Sequence, residues 1–191
     1  SNSLSGVGNT MSGLVYNESG AEAYEAFAQI NTPPLSETYA SMCGYEPGSV
    51  MVSKYKTGVV TNRKFFVGNV IDTNGVVKAD SFIKSPSNTF SALPMDRRVD
   101  VTINDNDEIV KLEEFSDRIL QFKKNKLHIL NISQDIEFLE QTAYDKGVNH
   151  PAAVVRTELG VIWANALGVH YYNGEQVANL LEKKGVKVIS D

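Results

Sequence analysis

The C-terminal part of the chain reads twice, and a tandem repeat constrains a fold more tightly than composition does. Leu127-His128-Ile129-Leu130-Asn131 returns 42 positions later as Val169-His170-Tyr171-Tyr172-Asn173. Sliding one copy onto the other pairs His128 with His170, Asn131 with Asn173, Gln134 with Gln176, Leu139 with Leu181 and Glu140 with Glu182. Apolar positions also fall on apolar positions at 119/161, 120/162, 127/169 and 129/171. A period of that size matches one four-stranded propeller blade. Phe65-Phe66-Val67-Gly68-Asn69 carries the same strand-then-Asn pattern and counts as a third, more divergent unit. The prediction is an all-β fold of propeller-like repeats of short antiparallel strands, about three blades. Since a propeller needs about four blades to close, the set is incomplete or completed by oligomerisation.

The chain divides by texture into a lead-in over residues 1–50 and a repeat domain over 51–191. Residues 1–19 are rich in Ser, Gly and Asn. Ala21-Glu22-Ala23-Tyr24-Glu25-Ala26-Phe27-Ala28 has the composition of a short helix capped by Asn17 or Ser19. Thr32 to Gly48, broken by Pro33, Pro34, Gly44, Pro47 and Gly48, reads as a structured loop. Beyond Met51, strands are expected at 55–60 and 64–71, joined by a tight Asn62-Arg63 turn, then at Phe82-Ile83, 99–103, 109–112, 118–122, 127–132 and 161–164. Residues 85–94 form a loop, and Tyr144-Asp145-Lys146-Gly147 connects two sheets.

Several function classes are disfavoured. With 191 residues, 42% of them hydrophobic and 21% charged, the chain has material for one substantial core or two small ones. Its net charge is -5, and its basic residues are scattered in pairs such as Arg97-Arg98 and Lys183-Lys184, so nothing advertises a phosphate backbone. No sequence-specific nucleic-acid partner is expected. The lone Cys43 excludes an intramolecular disulfide and a cysteine-based zinc site. The longest apolar runs, such as Val161-Ile162-Trp163-Ala164, fall far short of the roughly eighteen residues that span a bilayer, and no membrane partner is expected. Residue 1 is Ser, as in a processed, trimmed or excerpted chain.

Three places invite a chemical reading. Asn104-Asp105-Asn106-Asp107-Glu108 is acidic like a calcium loop, but it lacks the central Gly and the distant bidentate Glu, so a solvated hairpin turn is the better expectation. His128, His150 and His170 suggest a zinc triad. However, His128 and His170 hold one repeat position among apolar neighbours, which fits a structural layer. No Gly-x-Ser-x-Gly elbow presents a serine nucleophile. No catalytic residue, metal or cofactor is therefore expected. Trp163, Tyr171 and Tyr172 are the candidate ligand platform, because an aromatic stripe on a propeller face stacks on sugars. The plainer reading has Trp163 filling space between neighbouring sheets.

The succession Thr38-Tyr39-Ala40-Ser41-Met42-Cys43-Gly44-Tyr45, Tyr55-Lys56-Thr57-Gly58-Val59-Val60-Thr61-Asn62-Arg63, Val67-Gly68-Asn69-Val70, Ile83-Lys84-Ser85-Pro86, Asp117 to Lys123, Gly160 to Asn165, Gly168-Val169 and Tyr172-Asn173-Gly174 resembles a family of virion structural proteins of tailed bacteriophages, mainly marine. The likeness runs roughly from Pro33 to Leu181. It implies a propeller-like, non-enzymatic component of a tail or tail-associated particle, assembled in the bacterial cytoplasm and resident in the virion. Its partners would be other virion proteins, with homo-oligomers in view. Such proteins are usually several times longer, so the resemblance implies a fragment. The alternative is a carbohydrate- or protein-binding propeller used in host recognition, and the weakest is a hydrolase on a propeller scaffold. An open set of blades also leaves sheet edges that residues 1–30 or another copy should cover.

Overall fold

The computed structural model describes residues 28–29, 46, 48–90, 92–99, 101 and 105–183. They form β1 (Ala28–Gln29), β2 (Val52–Thr61), β3 (Lys64–Asp72), β4 (Val77–Lys84), β5 (Ile109–Phe115), β6 (Arg118–Lys123), β7 (Lys126–Asn131), β8 (Phe138–Tyr144), β9 (Val154–Thr157), β10 (Gly160–Asn165), β11 (Gly168–Tyr172) and β12 (Val177–Asn179). One 3-10 turn (Pro151–Ala153) and one helical turn, α1 (Leu180–Lys183), complete the described elements. The fold is all-β: three antiparallel four-stranded sheets, ordered β1-β2-β3-β4, β5-β6-β7-β8 and β12-β11-β10-β9. The chain separates into two compact units, residues 1–108 and 109–191.

The first unit is built on the long β2–β3 hairpin. Asn62 and Arg63 take φ of 48° and 58°, as a type I′ turn requires, and this turn closes on the Thr61–Lys64 pair. A bulge interrupts the β3–β4 register between Gly68 and Val70, where Asn69 adopts φ 57°. Tyr55, Phe65, Val67, Val70 and Ile83 form one buried face, over which Leu93, Phe90 and Met95 fold. Tyr55 and Phe65 meet edge to face at 5.4 Å. The 85–94 loop is tied down by Val52 N–H to the Leu93 carbonyl (2.9 Å) and Phe65 N–H to Ser85 Oγ (2.8 Å).

Three expectations for this unit change. The helix proposed over 21–28 ends in strand: Ala28 pairs with Tyr55, and Gln29 with Lys54, so β1 covers the β2 edge from within residues 1–30. Residues 21–27 and most of the Pro/Gly loop lie outside the described residues. Of the strand expected over 99–103, only residues 99 and 101 are described and neither lies in strand, while 100 and 102–104 lie outside the described residues. Before it, a turn in which Arg97 N–H reaches the Pro94 carbonyl leads to Arg98, which makes a single bridge to Ile83. The strand-then-Asn unit read at Phe65–Asn69 has its Asn at a bulge inside β3, which runs to Asp72, one residue beyond the strand expected over 64–71.

The second unit carries the repeat into three dimensions. β6 and β10 start and stop 42 positions apart, and the registers agree: Leu120 faces Ile129 as Ile162 faces Tyr171, and Phe115 faces Arg118 as Thr157 faces Gly160. His128 and His170 are each the third residue of their strand and fully buried. Asn131 and Asn173 do the same work at the end of those strands. Asn131 Oδ1 accepts from Ser133 N–H (2.9 Å), and Asn173 Oδ1 accepts from Glu175 N–H (3.0 Å). Asp72 is the matching residue of the first sheet, its Oδ1 accepting from Asn74 N–H at 2.9 Å.

The correspondence fails at the fourth strand. His128 faces Thr142 across β7–β8, whereas His170 faces Asn179 across a shorter β11–β12 connection. Leu139 and Glu140 therefore lie in strand while Leu181 and Glu182 lie in α1, and these two identities are not structural equivalents. The expected connection at 144–147 begins where β8 ends, at Tyr144.

The two sheets of this unit stack on an apolar layer. Leu120, Phe122, Leu127 and Ile129 from β6 and β7 meet Val154, Val161, Trp163 and Tyr172 from the other sheet. Phe122 and Trp163 touch edge to face at 5.1 Å, and Phe115 and Tyr172 at 6.5 Å. Such aromatic pairs add about 0.5–1.5 kcal/mol beyond the area they bury.

Candidate functional site

The three residues of the expected platform do not share one exposed row. Trp163 is 1% exposed and Tyr172 2%, both inside the layer between β6–β7 and β10–β11. Tyr171 is half-buried on the opposite face of its sheet, and its hydroxyl donates to the Leu159 carbonyl. The alternation of a strand sends neighbouring tyrosines to opposite faces, which the reading of Tyr171-Tyr172 as one stripe overlooked. Burial holds the Tyr172 phenol above its usual pKa, and its O–H donates to the Gly174 carbonyl at 3.0 Å. No ligand can stack on Trp163 while the two sheets stay together.

The histidines sit in separate polar contacts. His128 Nδ1 lies 3.0 Å from Thr142 Oγ1, an imidazole–hydroxyl pair of the kind that activates a nucleophile, but His128 is fully enclosed and no substrate reaches it. His150 caps the 3-10 turn, its Nδ1 accepting from Ala152 N–H. His170 Nε2 lies 3.0 Å from Asn165 Oδ1. Among the described residues no three His, Cys, Asp or Glu side chains converge on a point where a metal would bind. The acidic run is not a solvated hairpin turn: Asp105–Glu108 is irregular chain leading to β5, and Asp107 is buried. Glu108 accepts from Lys56 Nζ (3.1 Å) and Asn69 Nδ2 (3.0 Å), so the acid at its end is neutralised within its own unit.

Sequence reasoning missed the place where the two sheets of residues 109–191 are joined. Asn165, the last residue of β10, donates through Nδ2 to the carbonyls of Asp145 (3.1 Å) and Gly147 (2.9 Å). Its Oδ1 accepts from Leu167 N–H at 2.9 Å and faces His170 Nε2. With Nδ2 committed to two carbonyls, the oxygen must accept, and the His170 tautomer carrying Nε2–H supplies the donor. The inter-sheet connection is thus clamped to the β10–β11 tip. On the other side, Asp145 N–H reaches the Asn125 carbonyl and Val148 N–H the Lys123 carbonyl, each at 3.0 Å. Lys124, Asn125, Asp145, Asn149 and Leu167 rim a cleft of about 190 Å³ at this junction. The signal was present in Asn165, which stands where the first copy has Lys123 and so breaks the repeat at a hairpin tip.

Asn165→Ala is expected to lower stability by about 2–3 kcal/mol, because two carbonyls, one amide and one imidazole lose their partner together. Urea unfolding followed by circular dichroism checks this; a loss below about 0.5 kcal/mol would show that the clamp does not hold the sheets.

Two ion pairs of the second unit lie near its surface. Arg118 meets Glu140 through two hydrogen bonds, and the Glu140 bond holds the guanidinium above its usual pKa. Arg156 reaches Glu114 at 2.8 Å, joining β9 to β5. Exposed pairs of this kind add at most about 1 kcal/mol each. In the first unit, a wider cleft of about 560 Å³ runs along Val76–Ser81 toward Arg98 and Glu108, with walls that mix both signs of charge. Among the described residues no helix is long and apolar enough to cross a membrane. A scan against protein-family models and a search of curated proteins returned no match.

Proposed function

We propose that this chain is a non-enzymatic structural module of a bacteriophage virion, contributing propeller-like blades to the tail or to a tail-associated particle. The observation that carries this reading is the stacking of β5–β8 on β9–β12 through Phe122 and Trp163, which commits the largest side chains to rigidity rather than to a ligand. Rigid sheet stacks with free hairpin tips suit particles in which subunits dock by surface complementarity. The buried, repeat-equivalent histidines and the enclosed tryptophan support packing as their role. The likeness to virion structural proteins supplies the phage setting. Host recognition through an aromatic platform loses its footing, because Trp163 and Tyr172 are inside.

An antibody raised against the purified chain tests the reading on particles banded from the culture that carries the gene. Immunogold electron microscopy is expected to decorate tails or tail-associated structures. Label confined to the soluble fraction, with bare particles, would overturn it.

A further inference from the structure

The structure assigns a covalent modification to the β3–β4 turn: Asn74 loses its side-chain amide to internal attack by the Gly75 main-chain nitrogen and ends as isoaspartate or aspartate. Asn is followed by Gly at two places, Asn74-Gly75 and Asn173-Gly174. Gly suits the reaction because it has no Cβ to crowd the attacking nitrogen. Sequence alone ranks the two sites together, and the fold separates them.

Asn74 stands at the tip of its turn, where Thr73 to Val77 are all exposed. Its main-chain N–H is fixed to Asp72 Oδ1 (2.9 Å), but its side-chain amide is held by no hydrogen bond among the described residues. A Cβ added to Gly75 would meet nothing within 4 Å. One bond must open for the attack, that from Gly75 N–H to the Asp72 carbonyl (3.0 Å). Asn173 is exposed as well, yet its Oδ1 accepts from Glu175 N–H (3.0 Å) and Gln176 N–H (2.9 Å). The Gly174 carbonyl is fixed by the Tyr172 hydroxyl (3.0 Å), and a Cβ on Gly174 would lie 3.4 Å from the Phe115 ring. Closing a ring at Asn173 therefore strains three bonds, and at Asn74 only one.

The chemistry needs water alone. Once the Gly75 N–H gives its proton to solvent base, the nitrogen bonds to Asn74 Cγ, the Cγ–Nδ2 bond breaks, and ammonia leaves behind a cyclic succinimide. Water then opens the ring. Breaking the nitrogen–Cγ bond gives aspartate, whereas breaking the bond from nitrogen to the Asn74 main-chain carbonyl carbon gives isoaspartate, in which the chain runs through the side chain. Either product adds a negative charge. Isoaspartate also lengthens the main chain inside a turn closed by Asp72 N–H to the Val76 carbonyl (3.1 Å) and Val76 N–H to Asp72 Oδ1 (3.0 Å). Thr73 N–H ties the same turn to the Met51 carbonyl (2.9 Å), so the lesion loosens the β3–β4 hairpin where it meets the start of β2.

This modification is independent of the virion reading. The full chain is incubated folded in warm, mildly alkaline buffer and, in parallel, unfolded in guanidinium chloride. Tryptic peptides are then read by mass spectrometry, with fragment ions placing each change from amide to acid. In the folded chain Asn74 is expected to convert about 10-fold or more faster than Asn173, the effect of two further hydrogen bonds. In the unfolded chain the two rates should converge. Ion-exchange chromatography of the folded chain should show a more acidic form growing with time, and Asn74→Gln, whose longer side chain closes a ring poorly, should remove most of it. An Asn74 that keeps its amide in the folded chain overturns the proposal. So do equal rates at the two sites in the folded chain, a difference that persists unchanged on unfolding, or an acidic form that Asn74→Gln leaves undiminished.

Discussion

Trp163→Ala is expected to destabilise residues 109–191 by about 3–5 kcal/mol, the largest effect of any single truncation in the inter-sheet layer. The ring is almost wholly enclosed, meets Phe122 edge to face and lies 5.7 Å from the His170 ring, so its loss opens a cavity that two rigid sheets cannot collapse. Trp163→Phe should cost far less, under about 1.5 kcal/mol. The indole N–H is buried without an acceptor among the described residues, and replacing it by an apolar ring removes that unmet donor. Urea unfolding followed by circular dichroism reads both variants. A loss below about 1 kcal/mol for Trp163→Ala would mean that the two sheets do not depend on this layer.

Gly147→Ala is expected to be nearly as damaging, for a different reason. A Cβ there would lie 2.4 Å from the carbonyl oxygens of both Lys123 and Lys124, and backbone cannot swing aside as a side chain can. Moving the connection would break the Asp145–Asn125 and Val148–Lys123 hydrogen bonds and pull Gly147 from the Asn165 amide. About 2–4 kcal/mol is expected, lowering the melting temperature by roughly 10 °C or more for a unit of this size. Gly75→Ala is the control. It meets nothing within 4 Å but sits at φ +79°, so only the left-handed strain of about 1–2 kcal/mol remains. Equal shifts for the two variants would show that the contact at Gly147 is not what matters.

The middle hairpin of each repeat was legible because two signals agreed there. Apolar alternation in Arg118–Lys123 and Gly160–Asn165 gave the strands, and identical spacing to His128 and His170 gave the register. The outer strand was not legible. Leu139 and Leu181 align in sequence, but β12 is reached by a shorter turn and stops after three residues, so the identity does not mark a shared position in the fold. Asn69 misled for a related reason: Asn serves both at strand ends and at left-handed bulges, and only the ladder distinguishes the two. The aromatic stripe failed on parity, since Trp163 and Tyr172 face inward together and Tyr171 cannot. Asn165 and Gly147 carried no recognisable motif because their partners are main-chain carbonyls, which every residue possesses.

The meander order of the sheets also bears on how such a chain emerges from the ribosome. From β2 onward every strand pairs only with its neighbours in sequence, and several turns between them span two residues. Little loop must close before a hydrogen-bonded ladder forms, which keeps contact order low for an all-β protein. Each sheet can be finished soon after its last strand leaves the exit tunnel, without waiting for distant chain. For β5–β8 the next strands to appear, β9 to β11, bring the side chains that cover its apolar face. Synthesis in the N-to-C direction thus hands this face of β5–β8 its cover within one repeat's length, limiting how long Leu120, Phe122 and Ile129 are available to the wrong neighbour.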